Sequence, residues 1–113
     1  MDLFSALSDP TRRNIVELLA VNGQLSATDI SDKFHVSPPA ISQHLKVLRE
    51  ADLVQVEKRA QKRIYTINTD SLQKLEDWTR KMKQLWSQRF DVMDKVLAAE
   101  KQKGVNKYDR KQK

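Results

Sequence analysis

The closeness of two helix-start signals constrains the fold of this chain more than any other feature of its sequence. Ser26 begins one helical pattern, and Ser37, followed directly by Pro38 and Pro39, begins the next. Serine is a favoured N-cap, and proline is tolerated in a first turn because its missing N–H would have no partner there. Two short helices joined by so few residues predict a helix-turn-helix.

The second of these helices has two different faces. Ile41, Leu45 and Leu48 recur at helical spacing and therefore share an apolar face. Serine and glutamine can hydrogen-bond to base edges, and lysine can meet phosphate or guanine. An ordinary solvated face has the same pattern, so this helix alone leaves both interpretations open. The outward candidates for DNA binding are Ser37, Pro39, Ser42, Gln43 and Lys46.

Two strand-like segments follow this helix. Leu53–Glu57 and Arg63–Ile67 are rich in residues that favour strands, and Lys58–Lys62 between them has the length of a hairpin loop. A basic loop by itself is more often only solvated. Behind a helix-turn-helix, however, it predicts a wing whose cations reach phosphates or the minor groove. The wing candidates are Lys58, Arg59, Lys62 and Arg63.

The last helical pattern begins at Asp70-Ser71 and runs to about Ala99. Such a helix is about 45 Å long, which is more than a small domain covers by itself. Its apolar stripe is also wide, so we predict that a partner chain packs on it; packing on its own domain alone is the alternative. The predicted interface residues are Leu75, Trp78, Met82 and Leu85, with Leu3, Phe4 and Leu7 from the first segment alongside.

The charge of the chain is unevenly distributed. The net charge is +6, and residues 101–113 contribute +5 of it through six Lys or Arg residues and one acid. The 113 residues therefore predict one domain at 1–100 and a basic, disordered tail at 101–113. A basic chain favours a polyanionic partner. The tail is either a further DNA contact or a solvated end, and its composition fits both.

Several classes of protein are excluded by what the sequence lacks. There is no cysteine, there are only two histidines, and no glycine-rich phosphate loop or recognisable carboxylate pair is present, so we predict no enzyme and no cofactor. The last helix contains no histidine, and we predict no metal site. No apolar run is long enough to span a membrane, and the N-terminus lacks the pattern of a secretion signal, which predicts a cytoplasmic protein.

Three strings, LSDPTRRNIVELL, VSPPAISQHLKVLREADLV and RIYTI, resemble the ArsR-type winged-helix repressors. The resemblance covers roughly residues 1–98, and the strings LEDW and LWSQRFD resemble a branch without metal-binding cysteines. It implies a homodimer, formed by the first and last helices, that represses by covering operator DNA. It also implies base contacts from the positions of Pro39, Ser42 and Gln43 and backbone contacts from the wing. No inducing ligand follows from it.

The fold class predicted is mainly α with a small β-hairpin: a winged helix-turn-helix with a long C-terminal dimerisation helix. The chain departs from the family at Asp52, where glycine is frequent, and at Arg59-Ala60-Gln61, where the wing tip commonly has glycine. His44 is either a packing residue, which its angle on the helix favours, or a base-reading one. A protein–protein interaction module built on the same winged helix is the alternative function.

Overall fold

The computed structural model describes residues 2–102 and contains five helices and three strands in that range. In chain order they are α1 (Leu3–Ala6), α2 (Pro10–Asn22), β1 (Leu25–Ser26), α3 (Ala27–Asp32), α4 (Pro38–Glu50), β2 (Val54–Arg59), β3 (Lys62–Ile67) and α5 (Thr69–Gln102). The predicted class, mainly helical with a small antiparallel sheet and a long last helix, is confirmed.

The predicted helix starts at Ser26 and Ser37 are also confirmed, and each rests on a short-range hydrogen bond, as does the start of α2 at Asp9. α5 begins at Thr69, one residue before the predicted start at Asp70-Ser71. Asp9 accepts from the Arg12 N–H at 3.0 Å, Ser26 from the Asp29 N–H at 3.1 Å, and Ser37 from the Ala40 N–H at 3.3 Å. Each cap satisfies one of the N–H groups that a helix leaves without a partner at its start. α3 and α4 follow each other closely and form the predicted helix-turn-helix.

The sheet is three-stranded, with the order β1-β3-β2 and antiparallel pairing throughout. Leu25 pairs with Tyr65, which places β1 on the outer side of the predicted hairpin. The sequence interpretation missed β1, since two residues carry no alternating pattern. The predicted loop Lys58–Lys62 is wrong: both strands extend further than expected, and a two-residue turn, Ala60-Gln61, joins them.

One hydrophobic core holds these elements together. The predicted inward residues of α4 are almost fully buried, and apolar residues from α1, α2, α3 and the sheet pack with them. Burying one large aliphatic side chain stabilises a fold by about 1.5–3 kcal/mol. The buried core residues are Ala6, Ile15, Val16, Leu19, Ile30, Ile41, Leu45, Leu48, Leu53, Val54 and Tyr65.

The chain divides into two compact units between Lys74 and Leu75, inside α5. All of the buried core belongs to the first unit. The second unit is the remainder of α5, which extends beyond the predicted end at Ala99 to Gln102. The predicted basic tail lies outside the described residues from 103 onward, and the predicted single domain of residues 1–100 stays a prediction.

Candidate nucleic-acid interface

The start of α4 is an exposed helix N-terminus with its cap in place. Ser37 has an extended backbone and caps the helix, and Pro38 and Pro39 occupy the first turn. The helix dipole makes this N-terminus favourable for a nearby phosphate. Backbone donors are not free for it, because the two prolines have no N–H, the Ala40 N–H is bonded to the Ser37 hydroxyl and the Ile41 N–H to the Ser37 carbonyl. Ile41, Leu45 and Leu48 anchor the opposite side in the core.

The five residues predicted to contact DNA from α4 are all exposed, and they lie along the first turns of the helix. Pro39, Ser42, Gln43 and Lys46 stand at i, i+3, i+4 and i+7, which places them on one face. α4 therefore presents a short polar ridge opposite its buried side. The part of these residues in DNA binding stays a prediction.

His44 lies on the inner flank of α4, away from this ridge. Its Nδ1 is 3.3 Å from Nη1 of Arg12 and 4.0 Å from a carboxylate oxygen of Asp9, and 22% of its side chain is exposed. Because a guanidinium can only donate, Nδ1 accepts the hydrogen bond and the ring proton sits on Nε2. Of the two interpretations of His44, this geometry favours packing over base reading.

The carboxyl group of Asp9, which caps α2, has a lowered pKa. The hydrogen bond from the Arg12 backbone N–H lowers the pKa of the Asp9 carboxyl below its ordinary value, and the charge of Arg12 adds to that effect against the opposing effect of burial. An ionised carboxylate at a helix N-terminus is also favoured by the helix dipole.

Arg12 and Arg13 have a structural role that sequence reasoning missed. Arg12 donates from Nε to the Ala6 carbonyl at 2.7 Å and from Nη2 to the Ser5 carbonyl at 3.3 Å. Arg13 donates from Nη1 to the carbonyls of Leu7 at 2.8 Å and Ser8 at 3.2 Å. The string SDPTRR could have indicated this role, because it places two arginines a few residues after the end of a very short helix.

The link from α4 to β2 is a Schellman motif. The Leu53 N–H donates to the Leu48 carbonyl at 2.9 Å and the Asp52 N–H to the Arg49 carbonyl at 3.0 Å. Asp52 has φ 61°, a left-handed conformation that favours glycine. Its carbonyl accepts from the hydroxyl of the buried Ser71. The turn therefore forms with aspartate at this position.

The wing has its four cations on two faces rather than in a loop. Lys58 pairs with Arg63 across the strands, and Arg59 pairs with Lys62. Directly opposite residues share a face, and neighbours along a strand alternate, so the two pairs point to opposite sides of the hairpin. Arg59 also donates from Nη2 at 2.9 Å and from Nε at 3.1 Å to one carboxylate oxygen of Glu57. All four cations are exposed.

The turn at the wing tip is strained at one residue. Ala60 has φ 54°, whereas Gln61 has no positive φ. A positive φ at the first turn residue alone is the pattern of a type II′ turn, which favours glycine at that position. The wing thus keeps its hairpin despite the departure from the family at Arg59-Ala60-Gln61.

The predicted dimer residues lie on two elements. On α1, Phe4 is 47% exposed and Leu3 is half-buried; Leu7, directly after the helix, is half-buried too, and both leucines pack against the core. On α5, Trp78 is 49% and Leu85 is 47% exposed, and Leu75 and Met82 are half-buried. Their role in dimerisation stays a prediction.

Further along α5 lie apolar side chains that the predicted interface set did not include. Trp86 and Phe90 form an edge-to-face pair with ring centroids 5.0 Å apart. Val92, Met93 and Val96 are more than half exposed. Helical spacing was the signal for all of them.

Neither a cluster of metal ligands nor a membrane-spanning helix is found in the part of the chain that the structure describes. No three residues of the His, Cys, Asp and Glu types come together there in a way that could hold a metal ion. No helix within residues 2–102 is both long and apolar enough to cross a membrane.

Comparisons with known proteins agree on one kind of regulator. The family model described as "Bacterial regulatory protein, arsR family" matches residues 9–56. The transcriptional repressor SdpR of Bacillus subtilis is 40% identical over 77 residues, which are 68% of this chain and 84% of the relative. The HTH-type transcriptional regulator Rv2034 of Mycobacterium tuberculosis is 42% identical over 82 residues, which cover 68% of this chain and 76% of the relative.

Solved structures give the same result for the fold. An ArsR-like transcriptional regulator from Rhodococcus sp. RHA1 superposes with a TM-score of 0.74 at 28% identity, covering 83% of this chain and 88% of that chain. A possible transcriptional regulator for arsenical resistance superposes with a TM-score of 0.66 at 34% identity, covering 73% of this chain and 84% of that chain.

Proposed function

Since this chain belongs to the arsR family of bacterial regulatory proteins, we propose that it is a dimeric repressor that covers a palindromic operator and reads it through Ser42 and Gln43. The chain is a DNA-binding transcriptional regulator and not an enzyme. Family membership also favours DNA binding over the protein-interaction module that the winged helix alone would allow.

One observation carries the proposal: a polar ridge and a cation-rich hairpin belong to the same compact unit. The ridge on α4 is anchored by three buried side chains on its opposite face, so its exposed groups are held on a rigid element. The wing adds four exposed cations on both sides of a narrow two-stranded ribbon. This combination matches the two parts of sequence-specific binding, in which base contacts specify and phosphate contacts position the protein.

The mechanism follows from the dimensions of DNA. The N-terminal turns of α4 enter the major groove, where Ser42 and Gln43 hydrogen-bond to base edges. Ser37 and Lys46 contact the flanking backbone, and Pro39 provides an apolar contact. The four wing cations neutralise phosphates and release counterions.

A homodimer completes the operator site in this proposal. Phe4 on α1 and the apolar face of α5 that carries Trp78, Met82 and Leu85 are the surfaces that a second copy would cover, and they support the proposal because large apolar groups are exposed on both. Two α4 helices in one dimer would meet successive major grooves, about 34 Å apart. A palindromic operator follows from that twofold symmetry. A dimer bound there would repress by blocking access to the DNA.

The experiment is selection of a random-sequence duplex library with the wild-type protein, followed by affinity measurements on the enriched duplex and on a scrambled duplex. Loss of one base contact costs about 1–3 kcal/mol per subunit, so Gln43→Ala should weaken binding of the enriched duplex by at least about 10-fold. Binding of the scrambled duplex should hardly change.

Gln24→Ala is the matched control, because Gln24 is an exposed glutamine outside α4 and the wing. It should bind both duplexes as the wild type does. Equal losses on the two duplexes for Gln43→Ala would remove Gln43 from the reading face. Failure of the wild type to enrich any duplex would contradict the proposed sequence-specific repressor as a whole.

A further inference from the structure

α1 is a helix that does not stand by itself. It is four residues long, far below the length at which an isolated helix is stable in water. The final carbonyls of any helix lack partners within it, and here two arginines of α2 supply donors to the four successive carbonyls of Ser5–Ser8. Cations at a helix C-terminus are also favoured by the helix dipole. The position of α1 is therefore set from α2.

Arg12 differs from Arg13 in that it also forms a hydrogen bond to α4. Its Nε and Nη2 donate to carbonyls of α1, while its Nη1 donates to Nδ1 of His44 at 3.3 Å. Arg13 donates instead to the carbonyls of the segment Leu7-Ser8. A single planar guanidinium thus joins α1 to α4, with His44 as the receiving group.

His44 is well placed to transmit an orientation to the reading residues. It follows Gln43 directly in α4 and lies two residues after Ser42. The buried side chains of α4 make apolar contacts, which have little directional preference. A hydrogen bond on the flank of the helix adds direction, and recognition groups must be held within about 0.5 Å and 10–20° of their productive geometry.

We propose that Arg12 is a positioning residue, which couples the placement of α1 to the orientation of α4 through its hydrogen bond to His44. This proposal rests on the proposed function, since it assigns the reading of DNA to α4 and a subunit contact to α1. A second copy that packs against α1 would in this way stabilise the reading orientation of Ser42 and Gln43. Dimerisation and base recognition are then linked inside each subunit, in addition to the spacing that the dimer imposes.

The guanidinium is suited to this link because of its shape. Arginine offers several N–H donors in one fixed plane, which can serve two carbonyls and a ring nitrogen at the same time. Lysine keeps the charge but lacks the fork, so Arg12→Lys should behave as Arg12→Gln does. Recovery of wild-type binding by lysine would indicate that charge alone is used.

The test is a double-mutant cycle of Arg12→Gln and His44→Phe, measured on the duplex enriched by the wild type and on its scrambled form. Each single variant should weaken binding of the enriched duplex by about 5- to 50-fold, and the double variant should be no weaker than the worse single one, because both remove the same bond. Arg13→Gln is the matched control: it removes hydrogen bonds to the segment Leu7-Ser8 directly after α1 but none to α4, so it should retain the discrimination between the two duplexes.

The dependence on salt separates positioning from direct contact. If Arg12 bound a phosphate itself, Arg12→Gln would flatten the salt dependence by about one unit per subunit on any duplex. A positioning residue leaves that slope unchanged. A flattened slope, strictly additive losses in the cycle, or an equal loss of discrimination in Arg13→Gln would each overturn the proposal.

A measurement without DNA decides the coupling independently of the proposed function. Phe4→Ala alters an exposed side chain of α1, and in the wild-type background it should shift the backbone amide resonances of Ser42 and Gln43. In the His44→Phe background, which leaves the hydrogen bonds from Arg12 to α1 in place, those shifts should be absent. Shifts that persist would overturn the coupling even where DNA selection succeeds, whereas failure of selection with coupled resonances would contradict the repressor function alone.

Discussion

Replacing Asp52 by valine should destabilise the fold, whereas replacing it by glycine should not. Asp52 has φ 61° at the position of the Schellman motif where glycine is the usual residue. No hydrogen bond of its side chain is found within residues 2–102, and the residue is exposed, so the substitutions act mainly through the backbone. The free energy of unfolding therefore reports on this one left-handed residue.

The expected magnitudes follow from the backbone conformation. The left-handed conformation costs an L-residue about 1–2 kcal/mol, and aspartate tolerates it better than a β-branched residue does. Asp52→Val should lower the free energy of unfolding by about 1–2 kcal/mol. Asp52→Gly removes the strain but gives the unfolded chain more freedom, which is worth about 0.4–1 kcal/mol, so the net change should lie between zero and a small gain.

Urea denaturation followed by circular dichroism measures these differences. A change of 1 kcal/mol in a domain of this size also shifts the melting temperature by about 4–8 °C. Glu50→Gly is the matched control, because Glu50 is an exposed residue in the last turn of α4 with a helical backbone; there glycine should destabilise by about 0.5–1 kcal/mol. Equal stability of the valine and glycine variants at position 52 would refute the argument from the left-handed backbone.

Three further predictions concern the wing, the subunit contact and acid stability. Arg63→Ala should flatten the salt dependence of binding to any duplex by about one unit per subunit, and Arg59→Ala should do so by less because Glu57 already neutralises it; unchanged slopes in filter-binding titrations would exclude phosphate contacts. Met82→Asp should give a monomer in analytical ultracentrifugation, while Lys81→Asp, an exposed neighbour, should not; a monomeric wild type at micromolar concentration would contradict the proposed dimer. Asp9→Asn keeps a cap but cannot ionise. Since folding lowers the pKa of Asp9, the ionised carboxylate adds stability above the unfolded pKa of about 3.9, and this added stability disappears as the pH falls through the folded pKa. The urea midpoints of the wild type and the variant should therefore differ at pH 7 and converge in acid.

The predicted reading surface on α4 came from short-range patterns that need no tertiary information. The cap at Ser37, the prolines after it and the apolar spacing of Ile41, Leu45 and Leu48 fix where the helix begins and which side is buried. Each depends on groups that are no more than a few residues apart. The exposure of the predicted ridge follows from the same spacing, because a helix that buries one face leaves the other outside.

The wing was predicted in outline and not in detail. The cations at its tip indicated a loop of five residues, yet the strands continue through Lys58, Arg59 and Lys62 and leave a two-residue turn. Charged residues are poor strand formers by propensity, but pairing across the hairpin and a tight turn outweigh that preference. The placement of two cations on each side of the ribbon could not be predicted from the sequence, because it depends on the register of the two strands.

Local sequence thus determined the helices, their caps, the presence of a hairpin and the buried face of α4, since all of these depend on neighbours within a few positions. Only the tertiary structure decided that Leu25 pairs with Tyr65 to add a third strand, and that Arg12 meets His44, 32 positions further along the chain. Both contacts form because a shared core brings distant segments together. Neither contact could be predicted from the sequence, because a strand of two residues and one arginine among twenty-one Lys and Arg residues have no periodic pattern.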